Sequence, residues 1–390
     1  MRRMKSAVLS EQDRARRDQA VLACCLAAAA IGDASLSPEK RGKLLMDCLG
    51  TLAAAHHPDR APSMTQFRTG LHGQLGALLP DDLPTGALGV VELLDSDGQL
   101  ADEARDLCVE YAMPNAALDG HWSWARVSAE LEERRIYEKL RRLPEKEYTE
   151  ARGLIVKYVS GELPVIRKAW DGRLTQFAFY EPISTWTGHQ IRGHWFACPM
   201  CKWPMRVERR GDVFEVRCEA HSRDGVKYSC DLDDRPGRAP RLQPAGAVAT
   251  TARAVPATAD HLALSRIAWR YVALPGLLEC ELRDFAKSLK ARVTMWPHKD
   301  RYDVKIVLKG QTWKVDAKAW ADVQKLGEAL QKEAENPSKP TEPGLIIVIP
   351  DHQAAGRDML HHMVKGLGYR ALTAQGLKNE LLRRHQEGAR

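Results

Sequence analysis

The sequence predicts a multidomain chain: a helical N-terminal region, a small β-rich module with a metal-ligand pattern, and a C-terminal α/β core. Three observations carry this. Residues 1 to 160 hold runs of helical spacing behind good cap residues. Residues 161 to 234 change to short alternating runs and enclose two pairs of soft metal ligands. Residues 261 to 390 mix amphipathic helices with β-branched runs in the order α-β-β-β-α-β. A chain of 390 residues exceeds the usual size of one domain, so two or three are expected.

In the first region Ser10 caps a helix running to Ala30, and Ser37 with Pro38 starts a second running to Ala55. Further helices are expected over 64–79, 101–112, 122–143 and 145–160. The 122–143 stretch interleaves Glu130, Glu132 and Glu133 with Arg134, Arg135 and Lys139, the spacing of an exposed, ion-paired helix. His56-His57-Pro58-Asp59 falls between helices and reads as a polar loop rather than a metal site. Nothing in this region points to a reaction.

Composition excludes some classes of function. Hydrophobic residues make up 44% and charged residues 28%, which argues against a disordered or membrane-embedded chain. The apolar run 21–31 is far short of the roughly 20 residues a membrane span needs, and acidic residues interrupt its approach. Buried thiols such as Cys24, Cys25 and Cys280 fit a reduced, cytoplasmic setting. The net charge of +7 lies wholly in residues 261–390, where 22 Lys/Arg face 15 Asp/Glu. A polyanionic substrate would favour that bias, although solvated surfaces also show it.

Cys198-Pro-Met-Cys201 is followed, after sixteen intervening residues, by Cys218-Glu-Ala-His221, across a hairpin expected at 209–212. Two such pairs supply four ligands with the spacing of a zinc ribbon. Cys230 lies nine residues beyond His221 and is an alternative fourth ligand. A closed four-ligand site has no open position for substrate, so its expected role is structural. Lys202, Trp203, Arg206, Arg209 and Arg210 are available to meet nucleic acid from such a module. Residues 235–260, rich in Pro, Ala, Arg and Thr, read as a flexible linker.

Beyond the linker, 261–274 is expected as a helix that Pro275 breaks. A second helix follows, with Leu278, Leu282, Phe285, Ala286 and Leu289 as its apolar stripe. It carries Glu279 and Glu281, which cannot share a face because two residues are about 200° apart on a helix. Val-Lys-Ile-Val-Leu (304–308) and Trp-Lys-Val-Asp-Ala-Lys-Ala-Trp (313–320) alternate as half-buried strands, joined by a turn at Lys309-Gly310-Gln311. Alternation puts Asp316 and Lys318 on one face, and Asp303 precedes the partner strand. Two carboxylates and an ammonium can therefore converge, the equipment of metal-assisted phosphodiester hydrolysis. The plain alternative is a solvated, charge-balanced sheet face. A helix (322–335), a doubly buried strand (Gly344 to Pro350), a helix (357–367) and a last strand (368–373) complete the core. Arg357, Lys365, Arg370 and Lys378 are candidates for a phosphate-facing side.

The order helix-Glu, strand-Asp, hairpin, strand-Asp-x-Lys resembles the PD-(D/E)xK restriction-endonuclease-like superfamily. The matching residues are Glu279, Asp303, Asp316 and Lys318, with Glu281 in reserve and Gln324 as an accessory. Pro-Gly-Leu-Leu-Glu, Tyr-Asp and Val-Asp-Ala-Lys-Ala-Trp behind a Cys/His ribbon more narrowly resemble the restriction-endonuclease-like proteins associated with prokaryotic PIWI-RE proteins. This resemblance implies a magnesium-dependent DNA endonuclease in defence against phage or plasmids. Asp303, Asp316 and Glu279 would bind Mg2+, and Cys198, Cys201, Cys218 and His221 (or Cys230) a structural Zn2+. The implied partners are DNA or an RNA–DNA hybrid, a PIWI-RE protein and a helicase; cutting both strands would call for a homodimer. The alternative is a non-cleaving nucleic-acid-binding or assembly subunit.

Overall fold

The computed structural model describes residues 9–33, 36–95, 98–112, 136–171, 179–210, 212–222, 224–231, 239–247, 250–335 and 342–387. Most of the expected 122–143 helix and residues 175–178 lie outside these. The chain forms two compact units whose segments alternate along the sequence. One comprises 1–127, 320–341 and 355–367; the other comprises 128–319, 342–354 and 368–390. This grouping does not follow the four sequence segments 1–160, 161–234, 235–260 and 261–390.

The first unit is helical. Helices α1 (Glu11–Gly32), α2 (Pro38–Ala55), α3 (Met64–Leu71) and α4 (Asp102–Ala112) start at the expected places. The Ser10 and Ser37 side chains accept from the N–H groups of Asp13 and Lys40, as caps should. α1 packs on α2 and α4, and its stretch from Ala20 to Ala30 is buried on nearly every side. A helix apolar all round belongs inside a core rather than across its surface. The helix expected over 64–79 stops at Leu71, with a short 3₁₀ turn at Leu75–Ala77 in place of its second half. Three helices of the second unit, introduced below in chain order, precede α8 (Val323–Ala334) and α9 (Arg357–Val364), which complete the first. Arg17 pairs with Asp18 at 3.0 Å and Glu328 at 3.3 Å, Lys325 bonds Asp18, and the Tyr111 hydroxyl donates to Asp322. Arg17, Asp18 and Lys325 each have an opposite charge in contact, without which burial would cost several kcal/mol, about 3–5 for a broken pair.

The second unit carries α5 (Glu145–Lys157), α6 (Leu163–Ala169), α7 (Leu274–Ser288) and α10 (Ala374–Glu387). Its small sheets use β1 (Ser160–Glu162), β2 (Tyr180–Pro182), β3 (His194–Phe196), β4 (Arg206–Arg210), β5 (Val213–Arg217), β6 (Lys227–Asp231), β7 (Gln243–Pro244), β8 (Ala254–Pro256) and β9 (His261–Leu264). They pair as β1-β9-β2, β3-β8 and β4-β5-β6-β7, all antiparallel. Two expectations differ here. The segment expected as a linker contributes β7 and β8. The helix expected from His261 begins only after Ser265, because His261–Leu264 is hydrogen-bonded on both sides as a central strand. A four-residue apolar run is ambiguous by period alone.

The principal sheet is five-stranded: β10 (Arg292–Met295), β11 (Val304–Leu308), β12 (Gln311–Ala317), β13 (Leu345–Ile349) and β14 (Arg370–Thr373), in that order. β10, β11 and β12 are antiparallel; β12, β13 and β14 are parallel. Lys309 and Gly310 join β11 to β12 with φ of 47° and 79°, the two-residue turn whose twist suits a hairpin. β13 is buried along its whole length, as its unbroken apolar run requires. Leu282, Ala286, Val304, Ile306, Val315, Leu377 and Leu381 close the core between the sheet and helices α7 and α10. α10 was not anticipated from the sequence. Among the described residues, no helix is long and apolar enough to cross a membrane.

Candidate active site and metal centre

Pro275 occupies the first turn of α7, where a missing N–H does no harm, and the helix sets Glu279 towards the interior with 1% exposure. Glu281 faces the other way, exposed and bonded by Lys378. The β11–β12 register ends at Val304 with Val315, so Asp303 lies one residue before β11 and Asp316 one residue beyond Val315 on β12. The Asp303 N–H donates to the Val315 carbonyl at 3.0 Å, one residue out of the strict register. Asp303 Oδ2 accepts from the Ala317 N–H at 2.6 Å. Lys318 Nζ donates to Asp316 Oδ1 at 2.7 Å, and its backbone N–H donates to Val348 of the buried strand β13 at 2.8 Å.

These four groups feel one another. Burial pushes the Asp303 carboxyl well above the usual range, and the charges of Glu279 and Asp316 push it further. Burial also raises Glu279, with Arg152 opposing it. For Lys318 burial works against the charge, but Asp316 and Asp303 outweigh it and hold the ammonium above the ordinary lysine range. Three acids face Lys318 and, at Glu279, Arg152, so negative charge still exceeds positive, the condition under which carboxylates hold a hard divalent cation. Among the described residues, no three of these carboxylates bring their oxygens within 4.8 Å of one another.

Glu279 already has partners that the sequence did not reveal. Arg152 of α5 lies 3.5 Å from its Oε1, and the Trp296 indole N–H donates to Oε2. Arg152 also faces Asp300 at 3.4 Å, donates to the Val272 carbonyl, and lies 5.5 Å over the Trp296 ring. Tyr148, one turn earlier on α5, donates to Asp300. Trp296, His298, Lys299 and Asp300 all adopt left-handed φ, between 48° and 66°, and none is glycine. Such backbone costs roughly 1–2 kcal/mol per residue and persists only where its surroundings enforce it. Glu145 does so by accepting from the His298 N–H at 2.9 Å, and Lys299 donates to the Arg141 carbonyl at 2.9 Å. One signal was available in the sequence. Arg152 interrupts the stripe of Tyr148, Ile155 and Val156, where an arginine must be buried with a partner.

Cys198, Cys201, Cys218 and His221 bring one ligand atom each to within 4.8 Å of the others. Cys218 Sγ is 3.3 Å and Cys198 Sγ 3.7 Å from His221 Nδ1, and the Sγ atoms of Cys201 and Cys218 are 3.7 Å apart. The structure thus gathers His221, while Cys230 is buried in β6 outside the group. Hydrogen bonding with Cys201 and Cys218 pulls the Cys198 thiol down, whereas burial pushes Cys201 and Cys218 up. Three soft sulfurs and an imidazole in one closed set match the donor chemistry of a structural zinc.

The expected nucleic-acid contacts fare differently. Trp203 is fully buried, stacked on Trp269 at 4.1 Å with its indole N–H on the Leu264 carbonyl, so it is a core residue. Arg370 pairs with Glu380 at 2.9 Å and Lys378 with Glu281. Arg357 pairs with its neighbour Asp358 in the first unit. Gln324, also in that unit, donates to Glu328 at 3.2 Å.

No curated protein and no solved structure matches the chain. One family model does, and its match starts at Gly276 in the first turn of α7, spans the five-stranded sheet and runs past the end of α10 to residue 389. Glu279, Asp303, Asp316 and Lys318 all fall inside it, whereas Arg152 and the Cys/His group fall outside. Residues 276–389 therefore belong to the family described as "REase associating with pPIWI_RE", which makes this part of the chain a restriction-endonuclease-like domain.

Proposed function

We propose that the protein is a divalent-metal-dependent endonuclease that hydrolyses DNA phosphodiester bonds together with a pPIWI_RE protein. The observation that carries this reading is the meeting of Asp303, bonded to the Ala317 N–H of β12, with Asp316 and buried Glu279 in electrostatic reach, and Lys318 bonded to Asp316. Asp303 and Asp316 would hold magnesium directly. Bound there, the ion supplies a polarised phosphate and a bound water of lowered pKa. Glu279, with one oxygen towards Arg152 and the other on Trp296, would contribute through its charge or a bridging water. Lys318, kept protonated by its acidic neighbours, would orient the attacking water and steady developing negative charge.

The Cys198, Cys201, Cys218 and His221 group would bind zinc and stiffen its small sheet, with no open position for chemistry. The basic surplus of residues 261–390 suits a phosphate backbone. A cytoplasmic defence role against phage or plasmids, with a helicase as a further partner, follows from the resemblance.

The test is a cleavage assay on single- and double-stranded DNA, with and without magnesium, alone and with a pPIWI_RE protein. Asp316→Ala and Lys318→Ala should each abolish metal-dependent cleavage while leaving the melting temperature within a few degrees. Unchanged cleavage by either pure variant sinks the assignment. Tight DNA binding with no cleavage by the wild type would favour the non-cleaving alternative.

A further inference from the structure

The matched family segment begins at residue 276, yet the partners of Glu279 come from two elements with different histories in the chain. Trp296 belongs to the matched segment, whereas Arg152 stands on α5, 127 residues upstream of the glutamate. The Arg152 side chain is 2% exposed and touches Glu279, Asp300 and the Val272 carbonyl, so its orientation is set on three sides. The Tyr148 hydroxyl fixes Asp300, its second acceptor, at the end of the left-handed turn that delivers Trp296. Helix α5 thus grips both ends of one device: the arginine on one carboxylate oxygen, and the strained turn whose tryptophan holds the other. A left-handed run without glycine marks a place where the fold spends stability on geometry.

We propose that Arg152 is a positioning residue for the metal site: it orients the buried Glu279 carboxylate towards Asp303 and Asp316, so that α5 completes a site the matched segment does not contain in full. The inference rests on the metal-dependent reading above. It is physically distinct from a packing role, because an arginine that acts through Glu279 can do nothing for the site once that carboxylate is removed. Groups that orient a metal-site side chain by hydrogen bonding are worth about 10–100-fold in metal affinity where they have been altered.

The experiment is Mn2+ titration of the full-length chain by calorimetry, without nucleic acid. It compares wild type, Arg152→Lys, Arg152→Met, Glu279→Gln and the double variant Arg152→Lys/Glu279→Gln, with Asp316→Ala as control. Thermal melts run alongside. Arg152→Lys keeps the charge and loses the planar fork, so it is the variant most apt to fold if Arg152→Met does not. It should weaken Mn2+ binding about tenfold, and in the Glu279→Gln background it should cost nothing more. Wild-type affinity in a folded Arg152→Lys overturns the inference, as does a loss that repeats in full on Glu279→Gln. Wild-type protein that binds no Mn2+, or an Asp316→Ala control that binds it equally well, removes the underlying reading instead and this inference with it.

Discussion

Gly276→Ala is the sharpest test of how α7 is seated. A Cβ at that position would lie 2.3 Å from Val156 Cγ2 and 3.5 Å from Arg152 Nη1. Val156 is buried on α5, and a β-branched side chain in a helix has one strongly preferred rotamer, so it cannot swing clear. Alanine would gain about 1 kcal/mol over glycine in helix propensity. Overpacking a close helix contact costs about 1–3 kcal/mol. The distance decides between them: a contact this far below van der Waals separation forces α7 and α5 apart, which puts the cost at the upper end of that range, about 2–3 kcal/mol. The expected net loss is about 1–2 kcal/mol, a fall of roughly 2–8 °C in melting temperature for a unit of this size. Differential scanning calorimetry of the full chain measures it. Val156→Ala in the same protein should relieve the clash, so the double variant should be more stable than the sum of the singles by about 1 kcal/mol. A Gly276→Ala protein that melts at or above wild type, or strict additivity with Val156→Ala, would refute the close approach. Because Glu279 is one turn further along α7, the parting of the helices should also loosen its contact with Arg152.

Three other predictions follow from particular groups. Elemental analysis of pure protein should find stoichiometric zinc, and Cys218→Ser should lose it together with thermal stability; metal-free wild type of full stability would contradict the Cys/His assignment. Glu281→Gln should leave metal-dependent cleavage near wild type while Glu279→Gln reduces it at least tenfold, and the reverse order would exchange the two glutamates. Glu342 is held below the usual carboxylate range by the Lys314 ammonium, with Arg301 assisting. A carboxyl depressed on folding contributes stability above its unfolded pKa of about 4.3 and loses it as pH falls through the lower folded value. Urea unfolding of wild type should therefore weaken more steeply below about pH 4.3 than that of Glu342→Gln; parallel profiles would rule out the pair as a contributor.

Much of the five-stranded sheet was legible because its signals are local. Period-two alternation marked β11 and β12, Lys309-Gly310 marked their turn, and an unbroken apolar run marked the doubly buried β13. Once the hairpin is known, Asp303 at the start of one strand and Asp316 near the end of the other fall at the same end of it. The two Cys-x-x-Cys/His pairs were equally plain, since each needs only one turn of chain. What sequence reading could not supply was pairing over long separations. His261–Leu264 became a strand because β1 and β2 flank it, and no local period says so. Trp203 turned inward because Trp269, 66 residues later, offers a ring to stack on. Helices α8 and α9 flank β13 in sequence, yet they group with the N-terminal helices through ion pairs such as Lys325 with Asp18. His221 rather than Cys230 joined the thiols because a shared turn with Cys218 costs less chain entropy than reaching from the next strand. The sequence by itself determined which residues could do the chemistry, through type and spacing along one hairpin and one helix. Only the tertiary structure decided which partners hold them, because a buried carboxylate such as Glu279 takes its counter-ion from whatever element packs against it, and for Glu279 that is Arg152 of α5.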